Sequence, residues 1–196
     1  YNFFDDLNKY EVYPRIIESK RNVKFNSKST QLSVVDDLMS HDIDVALKLV
    51  NSDVKSVYST AVGVYYKDPD IVHTRIEFYN GCVANLTGSK IADNETHKTE
   101  IFQKNLHCSI NYLKQEINVQ SSQSNTKVIS EDWGERTKYN QQKDDYTFML
   151  KRELYSFYNS ITNNIEPIAG ISQYLQLQSV TDKIKEQLER NFTANV

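Results

Sequence analysis

The sequence predicts an α+β fold, an open and mainly antiparallel β-sheet with helices packed on one face. Three observations predict it. Apolar residues recur at helical spacing over residues 33–50. The period then changes to two over a succession of short segments joined by turns, which favours an antiparallel sheet. Helical spacing returns towards the C-terminus.

Residues 2–10 read as the end of a helix that Pro14 closes, and 15–21 as a strand. A Ser/Asn/Lys-rich loop follows at 26–29. Ser33 is the expected N-cap of the helix over 33–50, with Asp36 and Asp37 complementing the helix dipole. Val35, Leu38, Met39, Ile43, Ala46, Leu47 and Val50 form its core-facing stripe. Residues 54–66 read as a strand rich in Val, Tyr, Ser and Thr. Strands at 71–79 and 82–91 flank Asn80-Gly81, which reads as a type I′ hairpin with positive φ at both positions. Val72, Thr74, Ile76 and Phe78 share one face of the first arm, and His73, Arg75, Glu77 and Tyr79 the other. Residues 96–103 and 107–113 read as further strands, with 117–120 a weak continuation.

The stretch 121–144 is polar, carries the single tryptophan, Trp133, and reads as a long loop or a partly disordered, flexible excursion. Trp133 would anchor a lid or pin the loop to the sheet. A helix is expected at 146–163, through Phe148, Leu150, Leu154, Phe157, Tyr158 and Ile161. A loop around Pro167 and Gly170 leads to a last helix at 179–192. The second face of the sheet must be covered or unusually polar.

A chain of 196 residues fits one domain with a real core. Its 39% hydrophobic and 25% charged content is that of a globular protein. The net charge of −3, with no basic cluster among aromatics, argues against a nucleic-acid partner. No apolar run approaches the roughly 20 residues that cross a bilayer, so no membrane partner is expected. The start shows no charged-then-apolar export pattern, which makes the cytoplasm the expected location. It also begins with Tyr1, as a fragment would. Cys82 and Cys108 lack C-x-x-C spacing and are expected as buried free thiols. The glycosylation patterns at Asn85, Asn94 and Asn191 read as chance matches.

Five glycines, none in G-x-G-x-x-G or G-x-x-x-x-G-K spacing, leave no phosphate-cradling loop. This chain alone is therefore not expected to bind a dinucleotide tightly. There is no H-E-x-x-H, no G-x-S-x-G and no Cys/His set for a metal. One constellation stands out. At ~100° per residue, Asp37, His41 and Asp44 fall in one narrow sector of the helix. A histidine one turn beyond a carboxylate can act as a general acid/base, while carboxylates orient the ring or hold a substrate hydroxyl. A solvated polar face would look the same. His73, His97 and His107 sit in expected strands without a clustered acid or cysteine, and read as structural or solvent-facing. The thirteen tyrosines lack the basic neighbours of a single-strand-binding platform.

Three stretches carry a resemblance: Ile17-Glu-Ser-Lys-Arg21 with Phe25 and Val34-Val-Asp-Asp-Leu-Met-Ser-His-Asp-Ile-Asp44; Pro69-Asp-Ile-Val-His-Thr-Arg-Ile-Glu-Phe-Tyr-Asn-Gly-Cys-Val-Ala-Asn-Leu-Thr-Gly-Ser89; and the tail from Leu154 to Ile184. They resemble the C-terminal domain of the glucose–fructose oxidoreductase / inositol dehydrogenase / rhizopine catabolism (Gfo/Idh/MocA) family. The D-x-x-x-H-D element and the hairpin carry it, and it spans most of the chain outside 121–144. The resemblance implies that 1–196 is a single substrate-binding domain whose N-terminal Rossmann domain is absent here.

It also implies a reaction, in which a hydride passes between a nicotinamide and a hydroxyl-bearing carbon of a sugar, sugar derivative or cyclitol. His41 matches the family's base, and Asp37 the acid that positions the substrate or the histidine. Asp44 and Lys20 are the candidate substrate contacts. Lys20 stands where a histidine is expected before the arginine, and reads either as a cleft contact or as an edge charge. Gln176 stands where an acid is frequent. NAD or NADP would be bound mainly by the absent domain, which also supplies a lysine with no counterpart here, so the isolated chain is expected to be inactive. The open face of the sheet, with His73, Arg75, Glu77 and Tyr79, is implied as a homo-oligomer contact, simple solvent exposure being the alternative. The rival reading is a non-catalytic dimerisation or ligand-sensing module.

Overall fold

Every second side chain of β1 (Ile16–Lys24) is drawn to one face: Ile17 and Ser19 are buried, while Ile16, Glu18 and Lys20 are exposed. A computed structural model describes residues 7, 11–25, 33–65, 68–114, 116–122, 124–129, 144–165 and 170–193, and in it β1 lies in the interior of an eight-stranded sheet. A π-helical turn (Val35–Met39) runs directly into α1 (Ser40–Val50). Then follow β2 (Val54–Val62), β3 (Ile71–Phe78), β4 (Val83–Ala92), β5 (Thr96–Gln103), β6 (Leu106–Asn111), β7 (Glu116–Ser121) and β8 (Ser124–Ile129). Two helices close the chain, α2 (Asp144–Thr162) and α3 (Ile171–Thr193).

The strand order is β2-β3-β4-β1-β5-β6-β7-β8. All neighbours are antiparallel except β1 and β4, which α1 and the β2–β3 hairpin separate in sequence. The expected open, mainly antiparallel sheet is therefore the observed one. Helix α1 lies on one face. Its stripe of Val35, Leu38, Met39, Ile43, Ala46, Leu47 and Val50 is buried throughout, packed with Ile17, Val72, Ile76, Phe78, Ala84 and Leu86 from the strands. Val180, Ile184 and Leu188 bring α3 into the same core. A second cluster, with Leu7, Val45, Ile101, Cys108, Ile110, Ile117 and Val119, fills the β5–β7 side.

Local chemistry sets the boundaries of the continuous helical segment formed by the π-helical turn and α1. Ser33 Oγ accepts the Val35 N–H at 3.2 Å, as expected of an N-cap. Asn51, at φ 45° and ψ 49°, takes the left-handed conformation that ends the helix. Gly88 fixes how closely the π-helical turn approaches the sheet. A Cβ at that position would lie 2.8 Å from both Met39 Cγ and Val34 Cγ1, and both side chains are buried. Gly88→Ala is expected to destabilise the fold by about 1–3 kcal/mol through overpacking, read as a lowered urea midpoint at unchanged slope.

At the outer edge of β2, α3 supplies a substitute strand partner. Gln187 accepts the Ser59 N–H at 2.8 Å and donates to Val57 O at 2.6 Å, which satisfies backbone groups that an edge otherwise exposes.

The structure corrects several expectations. Only Gly81 of the β3–β4 turn has positive φ, at 81°; Asn80 does not. The Gly81 N–H bonds to Phe78 O and the Phe78 N–H to Cys82 O, so the loop is a type I turn with a glycine bulge, one residue longer than type I′. The 121–144 stretch is not loop throughout. It contains the end of β7, strand β8 and the start of α2, and Trp133 lies outside the described residues. The polar run Ser124-Asn-Thr-Lys127 gives β8 no apolar period, and backbone pairing with β7 supplies the order there. Helix α3 begins eight residues before the expected 179. Residues 117–120 belong to a full strand. The 26–29 loop and, apart from Leu7, the expected helix at 2–10 also fall outside the described residues.

Candidate functional site

One end of the helix-covered sheet face gathers charge. Strand parity directs Arg21 of β1, Lys90 of β4 and His97 of β5 towards the π-helical turn and the start of α1. Arg21 donates from Nη1 to Leu38 O at 3.2 Å, tying the turn to β1. Lys90, only 9% exposed, lies 3.9 Å from Asp37 Oδ2 through Nζ. His97 donates from Nε2 to Asp42 Oδ1 at 3.0 Å and stacks on Tyr112 with ring centroids 4.1 Å apart. Tyr112 donates to Thr99 Oγ1 at 3.2 Å, and Thr99 meets Ser19 Oγ at 2.9 Å. A chain of polar contacts therefore runs from the helix across β5 to β1.

His41 opens α1 and is exposed at the rim of this group. Its pKa is lowered from the ordinary 6.5, first by desolvation and then by the Arg21 guanidinium, with His97 adding to the effect. Asp42 and Asp44 act in the opposite direction without reversing it. An imidazole whose pKa is lowered in this way can accept a proton near neutral pH.

Of the residues singled out in sequence, Asp37, His41 and Asp44 lie on the one helical segment, each with its own surroundings. Asp37 faces Lys90, and Asp44 pairs with Lys48 at 2.7 Å. The π-helical geometry of Val35–Met39 changes the rotation per residue between Asp37 and His41, which an α-helical wheel does not represent. Lys20 is not brought to this group. It alternates with Ser19 and Arg21, and its register partners are Thr87 and Lys98 on the open face.

Sequence reasoning missed Arg21, Asp42, Lys90 and His97. Parity with the buried Ile17 and Ser19 was the available signal for Arg21; nothing local marked His97, whose acid partner is 55 residues away. The reading of His97 as lacking an acid is therefore corrected. His73 meets Thr87 Oγ1 at 2.9 Å, and His107 stacks on Phe102 and lies 3.6 Å from Glu100. Cys82 and Cys108 are buried free thiols, pushed up by desolvation to about 11 and about 12. Among the described residues no group of three His, Cys, Asp or Glu side chains could hold a metal ion, and no helix is long and apolar enough to cross a membrane. A shallow hollow of about 380 Å³, lined by Tyr58, His73, Arg75 and Thr87 among others, lies on the open face, away from His41.

Residues 10–105 match the family model described as the GFO/IDH/MocA C-terminal domain. UDP-N-acetylglucosamine 3-dehydrogenase of Acidithiobacillus ferrooxidans is 27% identical over 106 residues, 54% of this chain and 34% of that protein. A solved structure of the dehydrogenase of that name, GnnA, from the same organism superposes with a TM-score of 0.82 at 20% identity, over 97% of this chain and 59% of that one. Levoglucosan dehydrogenase in complex with NADH and levoglucosan gives a TM-score of 0.74 at 15% identity, over 95% of this chain and 60% of that one. An oxidoreductase from Agrobacterium radiobacter in complex with NAD+, L-tartaric acid and magnesium gives 0.75 at 12% identity, over 98% of this chain and 61% of that one. The chain thus shares its fold with these proteins and spans about three-fifths of the length of each solved structure.

Proposed function

Residues 10–105 place this chain in the GFO/IDH/MocA C-terminal domain family, and on that premise we propose that it is the substrate-binding half of a nicotinamide-dependent oxidoreductase acting on a sugar, sugar derivative or cyclitol. The observation that carries the reading is His41, an imidazole at the start of a helix whose pKa is lowered by desolvation and by Arg21, with Asp42 and Asp44 acting on it in the opposite direction. The residues present fit half of such a site. They supply a proton acceptor and polar groups for hydroxyls, and no phosphate-cradling loop.

NAD or NADP, when bound in a second domain, takes or returns the hydride. The chain's own residues do the rest. His41 takes the hydroxyl proton as the carbon is oxidised and returns it in the reverse direction. Asp37, held by Lys90, orients the substrate, and Asp44 holds a neighbouring hydroxyl. The isolated chain is inactive in this reading.

Two surfaces support an assembled enzyme. Leu150, Leu154, Phe157, Tyr158 and Ile161 are exposed on α2 at the spacing of a single helix face. The cofactor-binding domain is the occupant this stripe fits, because about two-fifths of each structural relative's length lies outside the part matched here. The open sheet face carries Tyr58, Tyr79, Arg75 and Glu77, with both charge signs, and suits a second copy related by two-fold symmetry. Lys20 belongs to that face.

The test is turnover by the protein carrying its cofactor domain, followed by nicotinamide absorbance against free sugars, cyclitols and nucleotide sugars. Oxidation of at least one polyhydroxylated substrate is expected. Dinucleotide binding without turnover of any of them would instead favour a ligand-sensing module.

A further inference from the structure

We propose that Asp42 and His97 are a positioning pair, a contact between α1 and β5 that fixes the turn carrying His41 and governs its proton. The proposal rests on His41 being the acid/base, but its geometry stands apart from that reading. Asp42 is the residue after His41, and its side chain is 2% exposed. A carboxylate so far from water needs a hydrogen-bonding or charged partner, and His97 provides it at 3.0 Å. His97 is itself fixed from behind by its stack on Tyr112, whose hydroxyl is tied through Thr99 to Ser19 of β1.

Two anchors therefore hold the start of α1. Arg21 grips the Leu38 carbonyl from β1, and His97 grips Asp42 from β5. His41 lies between them in sequence, three residues after Leu38 and one before Asp42. The pair is also electrostatic. Asp42 favours a proton on His41, while a charged His97 opposes it. Of the two, Asp42 has the larger effect on His41, and His97 offsets it only in part. Among the described residues the other charges around this turn include Arg21 on β1, Asp37 and Lys90 as a pair between the turn and β4, Asp36 with Lys185 of α3, and Asp44 with Lys48 on α1. Arg21 acts on His41 and is the register partner of His97 in the β1–β5 pairing.

The test is histidine side-chain NMR of this chain, titrated from pH 5 to 8, the range over which histidine ordinarily changes charge. His97→Gln keeps a donor to Asp42 but removes the titrating ring, and is expected to move the His41 midpoint upwards. Asp42→Asn is expected to move it downwards. An unmoved His41 in a folded His97→Gln chain would overturn the proposal. Should Asp42→Asn fail to fold, the His41 midpoint in His97→Gln still decides it. In the protein with its cofactor domain, His97→Gln should shift the acidic limb of kcat/KM to higher pH, whereas a merely structural loss lowers the rate without moving the limb. If that protein shows no turnover, the function reading fails, while the titration still reports on the pair.

Discussion

Replacing His41 with alanine in the proposed two-domain enzyme lowers kcat by about 10²–10⁴-fold, the usual contribution of a positioned acid/base. Nicotinamide affinity is expected to stay unchanged, because the chain offers no dinucleotide loop. The pH dependence carries the mechanism. Oxidation needs the neutral imidazole, which is the majority form above its pKa. Desolvation and Arg21 hold that pKa below 6.5, so the acidic limb of oxidation falls below 6.5 in the wild type and disappears with His41→Ala. Stability follows the same sign. The unfolded chain takes up this proton first as pH drops through 6.5, so the folded state loses stability from there down to the lower folded pKa. His41→Ala removes that slope as well. Steady-state kinetics across pH, paired with urea melts, check both.

Phe78→Ala has the largest expected effect on stability, about 3–5 kcal/mol. Phe78 closes β3 at 2% exposure and is among the largest fully buried side chains of the core beneath α1. Its backbone bonds to Gly81 and Cys82 survive the change, so the loss is one of packing and cavity rather than of the turn. For a chain of this size the melting temperature should fall by about 6–20 °C. Phe102 is the internal control. It lies on the open face, half-buried and stacked on His107, and its truncation leaves no enclosed cavity. Equal losses for the two variants would mean that the open face is as tightly covered as the core.

Periodicity made the scaffold legible. The seven apolar positions assigned to the helix stripe are all buried, and Val72, Thr74, Ile76 and Phe78 face inwards as their alternation requires. The same rule would have separated Arg21 from Lys20, since parity with Ile17 and Ser19 selects the arginine. Resemblance drew attention to the lysine instead. β8 was hidden for a different reason: its order comes from hydrogen bonds to β7, which polar side chains neither advertise nor prevent. The type of the β3–β4 turn was missed because Asn-Gly fits both a two-residue loop and one in which only the glycine takes positive φ.

The candidate site was legible at His41 and much less so around it. Asp42 and His97 are far apart in sequence, and only the placement of β5 beside β1 and beneath α1 joins them. Lys90 reaches Asp37 from β4 by the same kind of long-range pairing. The π-helical turn was also invisible to a wheel drawn at one fixed angle, although it lies where the site residues begin. A polar site assembled across three strands leaves no spacing in sequence to find.

A structure of the proposed two-domain enzyme with nicotinamide and a sugar substrate bound measures the central claim directly. The account predicts a His41 ring nitrogen within about 2.6–3.2 Å of the hydroxyl on the carbon facing the nicotinamide. A substrate bound elsewhere, with His41 open to bulk water, would contradict it.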